Sequence, residues 1–287
     1  MLRIIRTVNE SRELRRKLAL KGGTALHTLV FGMRRLSVDI DMDYIGNIDR
    51  DAMLSDREDV REQLLTTFRN MGYGTDPPWK SHAEERFDLH FINCGGGKDH
   101  LKFEVNFLNR LPLLGTSTRR LSHPFPDLDI EAWSYSSEEI CAGKVRALLS
   151  RGTPRDLFDV QLIALDDSME PEKLRKASLF YLSVTDIDAR RISLAPIEAI
   201  SQKDVEDNLR PMVSKNQPID LASMKRDVVD FVARLAQLTD TEHRFFDILY
   251  DQARFEPALL FDSVLNYDGI EQHPSVKLKL RKLATAR

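Results

Sequence analysis

Between Lys21 and Tyr44 the chain reads KGGTALHTLVFGMRRLSVDIDMDY, and its last nine residues alternate strictly. In the strand predicted over 36–44, Leu36, Val38, Ile40, Met42 and Tyr44 fall on one side and Ser37, Asp39, Asp41 and Asp43 on the other, because strand side chains alternate with period two. Three carboxylates then share one face, with neighbours about 7 Å apart at roughly 3.3 Å of rise per residue. Like charges that close raise one another's pKa unless a cation lies among them, so the spacing points to a divalent-metal site facing an open cleft. The plainer alternative is a solvated edge strand. Asp39 and Asp41 suit ions that clamp the attacking and leaving oxygens of a phosphoryl displacement. Asp43, at the end of the run, could simply start the turn at Ile45-Gly46-Asn47.

Two further features belong beside that strand. Gly22-Gly23 sits directly before a helix N-terminus, where glycine lets the backbone approach a phosphate and the free N–H groups favour negative charge. A tight turn would use the same residues. A third carboxylate is expected, and Glu104 is the candidate, on the alternating run Leu101-Lys-Phe-Glu-Val-Asn-Phe107; its alternative is a solvent-facing Glu beside Lys102. A phosphate cradle next to metal-binding aspartates is a site for a nucleoside triphosphate and Mg²⁺.

A second charged block lies more than a hundred residues later. In the helix from Ile140 to Ser150, Lys144 and Arg151 share a stripe beside the apolar positions Cys141, Val145, Leu148 and Leu149. Lys144 can meet triphosphate oxygens as a point charge, or be a solvated surface lysine. Thr153-Pro154 opens another helix, and Asp156 there can be a cap. Asp159, flanked by Leu157, Phe158 and Val160, has no capping role and needs a partner, either Arg155 four residues before it or Lys144.

The elements that must hold these residues follow from periodicity and punctuation. A helix over 9–20 places Leu14 and Leu18 on one face; Gly22-Gly23 breaks it, and Thr24 caps a second helix ending at Gly32. After strand 36–44 comes a helix over 50–71, then strands 86–92 and 101–107 joined by a glycine-rich loop at 93–100. Residues 110–134 read as a loop-rich crossing. Ser136 with Glu139 forms a capping box, and helices are expected at 171–182, 196–210, 220–238, 241–253 and 256–265. With strands confined to the first half, the class is α+β. The expected division is a domain over 1–130, carrying the phosphate loop and metal-binding strand, and a helical domain over 131–287 that completes the active site.

Composition narrows the setting. The chain has 287 residues, 42% hydrophobic and 30% charged, with net charge −3. No apolar run is long enough to cross a bilayer, and no secretory signal is legible. Cys94 and Cys141 fit no disulfide framework or metal-ligand spacing, so a reducing, cytoplasmic setting is expected. Basic residues gather at Arg3, Arg6, Arg12, Arg15, Arg16, Lys17 and Lys21, and again at Lys277, Lys279, Arg281, Lys282 and Arg287. Such blocks can track a phosphate backbone or be solvated faces.

Gly22-Gly23 followed by Ser37-x-Asp39-x-Asp41 resembles the signature of the DNA polymerase β-type nucleotidyltransferase superfamily. KGGTALHTLVFGMRRLSVDIDM with the later KVRALLSRGTPRDLFDV resembles one branch of it, the AbiEii/AbiGii (MenT-like) toxins of type IV toxin–antitoxin and abortive-infection systems. The helical stretch LTDTEHRFFDILYDQARFEPALL extends the likeness over most of the chain. The resemblance implies a polymerase-β-like domain with a small mixed sheet, followed by a mostly helical domain. It implies transfer of NMP from an NTP, with Mg²⁺ on Asp39 and Asp41, Glu104 as a further ligand, and Gly22, Gly23 and Thr24 around the triphosphate. Lys144 and Asp159 take the active-site roles of the second block, ahead of Asp156 and Arg155. Ser37 matches a hydroxyl that is phosphorylated and silenced in relatives. A tRNA 3′ end as acceptor, contacts between RNA and the basic segments, and a cognate antitoxin are further implications. A protein or small-molecule acceptor, or a nucleotide-binding module without turnover, are the alternatives.

Overall fold

The computed structural model describes residues 1–261 and 268–285. It separates into two compact units, Met1–Ser136 and Ser137–Arg287.

The first unit opens with α1 (Leu2–Glu10), which buries Ile4, Ile5 and Val8. After a turn comes β1 (Leu18–Lys21), and then α2 (Gly22–Ala25), which runs on as a π-helical turn over Leu26–Val30. The helix expected over 9–20 is therefore not formed. Its last three residues, Leu18, Ala19 and Leu20, are strand and all buried, and a fully buried strand has no alternation to betray it. Then follow β2 (Asp39–Tyr44), α3 (Arg50–Asn70), β3 (Gly74–Thr75), β4 (Trp79–Lys80), β5 (Glu84–Ile92), β6 (Lys98–Asn106), β7 (Thr116–Arg120) and β8 (Glu131–Tyr135). These strands form one mixed sheet in the order β3-β5-β6-β2-β1-β8-β7, with β4 paired to β5. β2 lies parallel to β6 and β1 parallel to β8; the other ladders are antiparallel.

The crossing expected as loop over 110–134 thus contains β7 and the start of β8. Thr-Ser-Thr-Arg-Arg at an exposed sheet edge carries no apolar signal. β2 begins at Asp39, not at residue 36, and Leu36 and Val38 are 54% and 41% exposed ahead of it. Within β2 the alternation holds: Ile40, Met42 and Tyr44 are fully buried. α3 covers that face, where Phe68 meets Phe87 and Phe103 edge-on at 5.6 and 5.2 Å. Glu85, buried on the same face, is neutralised by Arg57 (2.7 Å) and Arg61 of α3.

The second unit is helical: α4 (Ser137–Arg151), α5 (Pro154–Ala164), α6 (Pro171–Ser183), α7 (Ala195–Glu198), α8 (Gln202–Asn208), α9 (Leu221–Leu235), α10 (Asp240–Gln252), α11 (Pro257–Phe261) and α12 (Pro274–Thr285). The single helix expected over 196–210 is broken at Ile200-Ser201, where Ser201 caps α8 through a box with Asp204. Residues 262–265 of the last expected helix lie outside the described residues. α12, not expected from the sequence, takes up Lys277, Lys279, Arg281 and Lys282 of the basic tail. The core of the second unit is aromatic, with Phe180 against Phe255 and Phe261, and Phe245 against Phe255. Buried Glu242 pairs with Arg175 (2.6 Å) and Lys176 (2.7 Å) and also closes the N-terminal box of α10 with Thr239.

Candidate active site

In the first unit the aspartates of β2 separate into two kinds. Asp39 and Asp41 are half-buried. Asp43 is 4% exposed, accepts a hydrogen bond from Tyr135 (3.0 Å) and is paired with Lys21 at 2.6 Å. It is an internal tie of the sheet and not the start of a turn, which explains an acidic residue that the alternation alone could not assign. Lys21, Asp41, Glu104 and Arg86 occupy facing positions across β1, β2, β6 and β5. Directly paired residues share a face, so Glu104 stands beside Asp41.

Gly22 is where the chain turns from β1 into α2, with φ +71°. A Cβ built there would lie 2.1 Å from Asp41 Oδ2. Glycine is required twice at this position, by the left-handed backbone and by the carboxylate resting on it. Thr24 is not a cap: α2 begins at Gly22 with Lys21 in the capping position. The Thr24 hydroxyl instead donates to the Asp39 carbonyl at 2.6 Å. That bond pins the first turn of α2 to the start of β2. Ser37 is half-buried in the segment just before Asp39.

Burial pushes the Glu104 carboxyl up to about 7; the charges of Asp41, Glu84 and Asp39 and a hydrogen bond with Glu84 add to the rise. A carboxylate crowded in this way is stabilised by a cation. The donors are all oxygen, which suits a hard ion such as Mg²⁺. Among the described residues, no three His, Cys, Asp or Glu side chains form a group that could hold a metal, so Asp39, Asp41 and Glu104 do not stand as a ready-made three-ligand set. An ion here must complete its shell with water or phosphate oxygens, as Mg²⁺ does at nucleotide sites.

The second unit brings the later block together. Lys144, 7% exposed on α4, lies 3.2 Å from Asp156 Oδ1 and 3.0 Å from Asp159 Oδ2 of α5. The partner of Asp159 that spacing left open thus includes Lys144; Arg155 is half-buried on the same helix. Thr153, not Asp156, caps α5: its hydroxyl accepts the Asp156 N–H and donates to the Asp156 carboxylate. That carboxylate also accepts from Arg151 at 2.6 and 3.0 Å. Burial works against charge on Asp156, but the Arg151 hydrogen bonds and the Lys144 charge outweigh it and hold the carboxyl below its usual range. Sequence reasoning named Arg151 only as sharing Lys144's stripe. The seven-residue spacing that put them there also lets both reach Asp156.

The basic segments are only partly available for phosphate. Lys17 pairs with Asp56 at 3.0 Å and Lys21 with Asp43, while Lys279 is 7% exposed and donates to the Thr185 carbonyl at 2.6 Å. Arg3, Arg6, Arg12, Arg15 and Arg16 are exposed.

The sequence model of the "Nucleotidyl transferase AbiEii toxin, Type IV TA system" family matches residues 3–250. A search of the curated proteins finds no match. Among solved structures, the chain is similar to MenT4, a nucleotidyltransferase toxin from Mycobacterium tuberculosis H37Rv. The TM-score is 0.63 with 17% identity, over 98% of this chain and 89% of that one. At that identity the likeness concerns the fold. Among the described residues, no helix is long and apolar enough to cross a membrane.

Proposed function

This chain belongs to the AbiEii family of nucleotidyltransferase toxins of type IV toxin–antitoxin systems, and on that premise we propose a specific reaction and residue roles. An NTP binds with its triphosphate along Gly22, Gly23 and Thr24, and Mg²⁺ is held by Asp39 and Asp41 with Glu104 as the further ligand. The metal, when bound, offsets the phosphate charge and favours the ionised acceptor hydroxyl. The hydroxyl oxygen gives its proton to water and forms a bond to the α-phosphorus in line with the breaking bond to the β-phosphate, and pyrophosphate leaves. Backbone N–H groups at the start of α2 steady the phosphates, and positioning with charge stabilisation supplies the rate. Lys144, oriented by Asp159 and Asp156, is assigned the cation that neutralises the phosphates, and Arg155, Asp156 and Ser37 are assigned roles in binding the nucleotide. The 3′ end of a tRNA is the proposed acceptor, met in the cytoplasm, and a cognate antitoxin is the proposed restraint.

The observation that supports this reading is the Asp41 carboxylate seated against the Gly22 backbone, so that one aspartate of the Asp-x-Asp pair meets the glycine turn that opens α2. Incubating the protein with each α-labelled NTP, Mg²⁺ and total RNA tests it. Label is expected on RNA from at least one NTP, and Asp39→Ala or Asp41→Ala should abolish it while leaving thermal unfolding cooperative. Label appearing on protein or a small metabolite, with RNA clean, would overturn the acceptor.

A further inference from the structure

The row of charged side chains across the sheet does not stop at Arg86. Register places Trp79 of β4 directly opposite Arg86 of β5, so the line runs Lys21, Asp41, Glu104, Arg86, Trp79 over five strands. The Arg86 guanidinium carbon lies 5.8 Å from the Trp79 ring centroid, and its Nε is held by Asp88 at 3.2 Å. Trp79 is nevertheless 50% exposed. A single exposed apolar side chain is ordinary; one already faced by an arginine, on the same sheet face as the metal-binding carboxylates, is a half-built stacking site. Pro77-Pro78 immediately before it restricts the backbone that presents the ring. Lys102 stands opposite Asp88 on the same face.

Resting on the reading above that NMP goes to an RNA acceptor, we propose that Trp79 and Arg86 form a shelf on which a nucleobase of the acceptor strand stacks. The base is the one next to the residue carrying the attacking hydroxyl. Every base has a π face, so an indole with a guanidinium at its side grips single-stranded RNA with little regard to sequence. Distance selects the acceptor over the NTP. From β2 to β4 is three strand steps, about 14 Å at roughly 4.8 Å each. The NTP's own base hangs from its α-phosphate by one sugar, whereas an acceptor whose terminal residue sits at the carboxylates reaches the shelf with its neighbour. Arg86, with Lys102 on the same face, then meets the intervening phosphates.

The test uses the full chain, which has two tryptophans, Trp79 and Trp133. In a Trp133→Phe background, single-stranded oligoadenylate should quench the remaining tryptophan fluorescence without NTP, and an abasic oligomer of equal length should not. In the labelled transfer assay, Trp79→Ala should raise KM for acceptor RNA roughly tenfold or more, with KM for NTP unchanged. Trp79→Phe, which keeps a flat ring, should restore most of it; a merely structural role would move both constants. Equal quenching by the abasic oligomer, or a KM for RNA unmoved in Trp79→Ala, overturns the shelf. A KM increase for NTP alone overturns its assignment to the acceptor. If the unaltered protein labels no RNA, the acceptor reading itself falls and takes this proposal with it, a result distinct from labelled RNA with an unmoved KM.

Discussion

At Gly22 one hydrogen atom decides whether Asp41 stays in place. Gly32 makes the comparison fair, because it has nearly the same φ, +65°, but a Cβ there would meet nothing nearer than Ser122 Oγ at 4.0 Å. Gly22→Ala and Gly32→Ala therefore carry a similar backbone penalty, about 1 kcal/mol or somewhat more, while only the first displaces a carboxylate. We expect both variants to lose thermal stability, Gly22→Ala more because its Cβ also overlaps Asp41, and Gly22→Ala alone to lose nucleotidyl transfer by roughly a hundredfold or more, the range seen when a reacting group is misplaced by about 1 Å. Transfer assays and melting curves on the pair check this; equal activity in both would sink the role given to the Gly22–Asp41 contact.

The join of α4 to α5 concentrates four charges in a small volume, two carboxylates against Lys144 and Arg151. Lys144 is the inner cation, whereas the Arg151 side chain is 60% exposed. Removing the inner one leaves Asp156 and Asp159 buried together, so Lys144→Met should destabilise the protein by about 3–5 kcal/mol. Arg151→Ala, at the rim, should cost about 1 kcal/mol. Chemical denaturation measures both, and similar losses would mean that Lys144 is no more essential to the knot than its neighbour. Elements also mark how far the sequence could be read. The Asp39–Tyr44 strand announced itself because one face is wet and the other dry, and α5 because Thr153, Pro154 and Asp156 are a helix start in any context. β1 is buried on both faces and reads as helix, since Leu-Ala-Leu-Lys favours helix locally and only pairing with β2 and β8 makes it a strand. Thr24 looked like a cap for the same local reason; its bond to Asp39 depends on a strand fifteen residues away. The Trp79–Arg86 pair was invisible because a two-residue strand has no period.

Across the whole molecule, buried carboxylates pull stability in opposite directions with pH. Glu242, for which burial favours protonation but Arg175 and Lys176 more than compensate, is lowered to about 2. Its contribution is complete above the ordinary glutamate range and is lost as pH falls toward 2. Asp156 acts in the same sense. Glu104 has the other sign: raised to about 7, it binds its proton more tightly folded than unfolded, so stability falls as pH rises from the ordinary glutamate range through 7. Metal-free protein should consequently melt highest on the acid side of neutrality. The alkaline decline attributable to Glu104, discounted for its half-exposed position, is about 1 kcal/mol, or roughly 2–4 °C. Glu104→Gln should remove that decline in EDTA, and Mg²⁺ should reduce it in the unaltered protein by supplying the missing countercharge. Melting curves at pH values either side of 7, with EDTA or Mg²⁺, read all of these at once. An alkaline slope that persists unchanged in Glu104→Gln would place its origin elsewhere. If Mg²⁺ raises the melting point of the Gln variant as much as that of the unaltered protein, Glu104 is no ligand, and the ion rests on Asp39 and Asp41 alone.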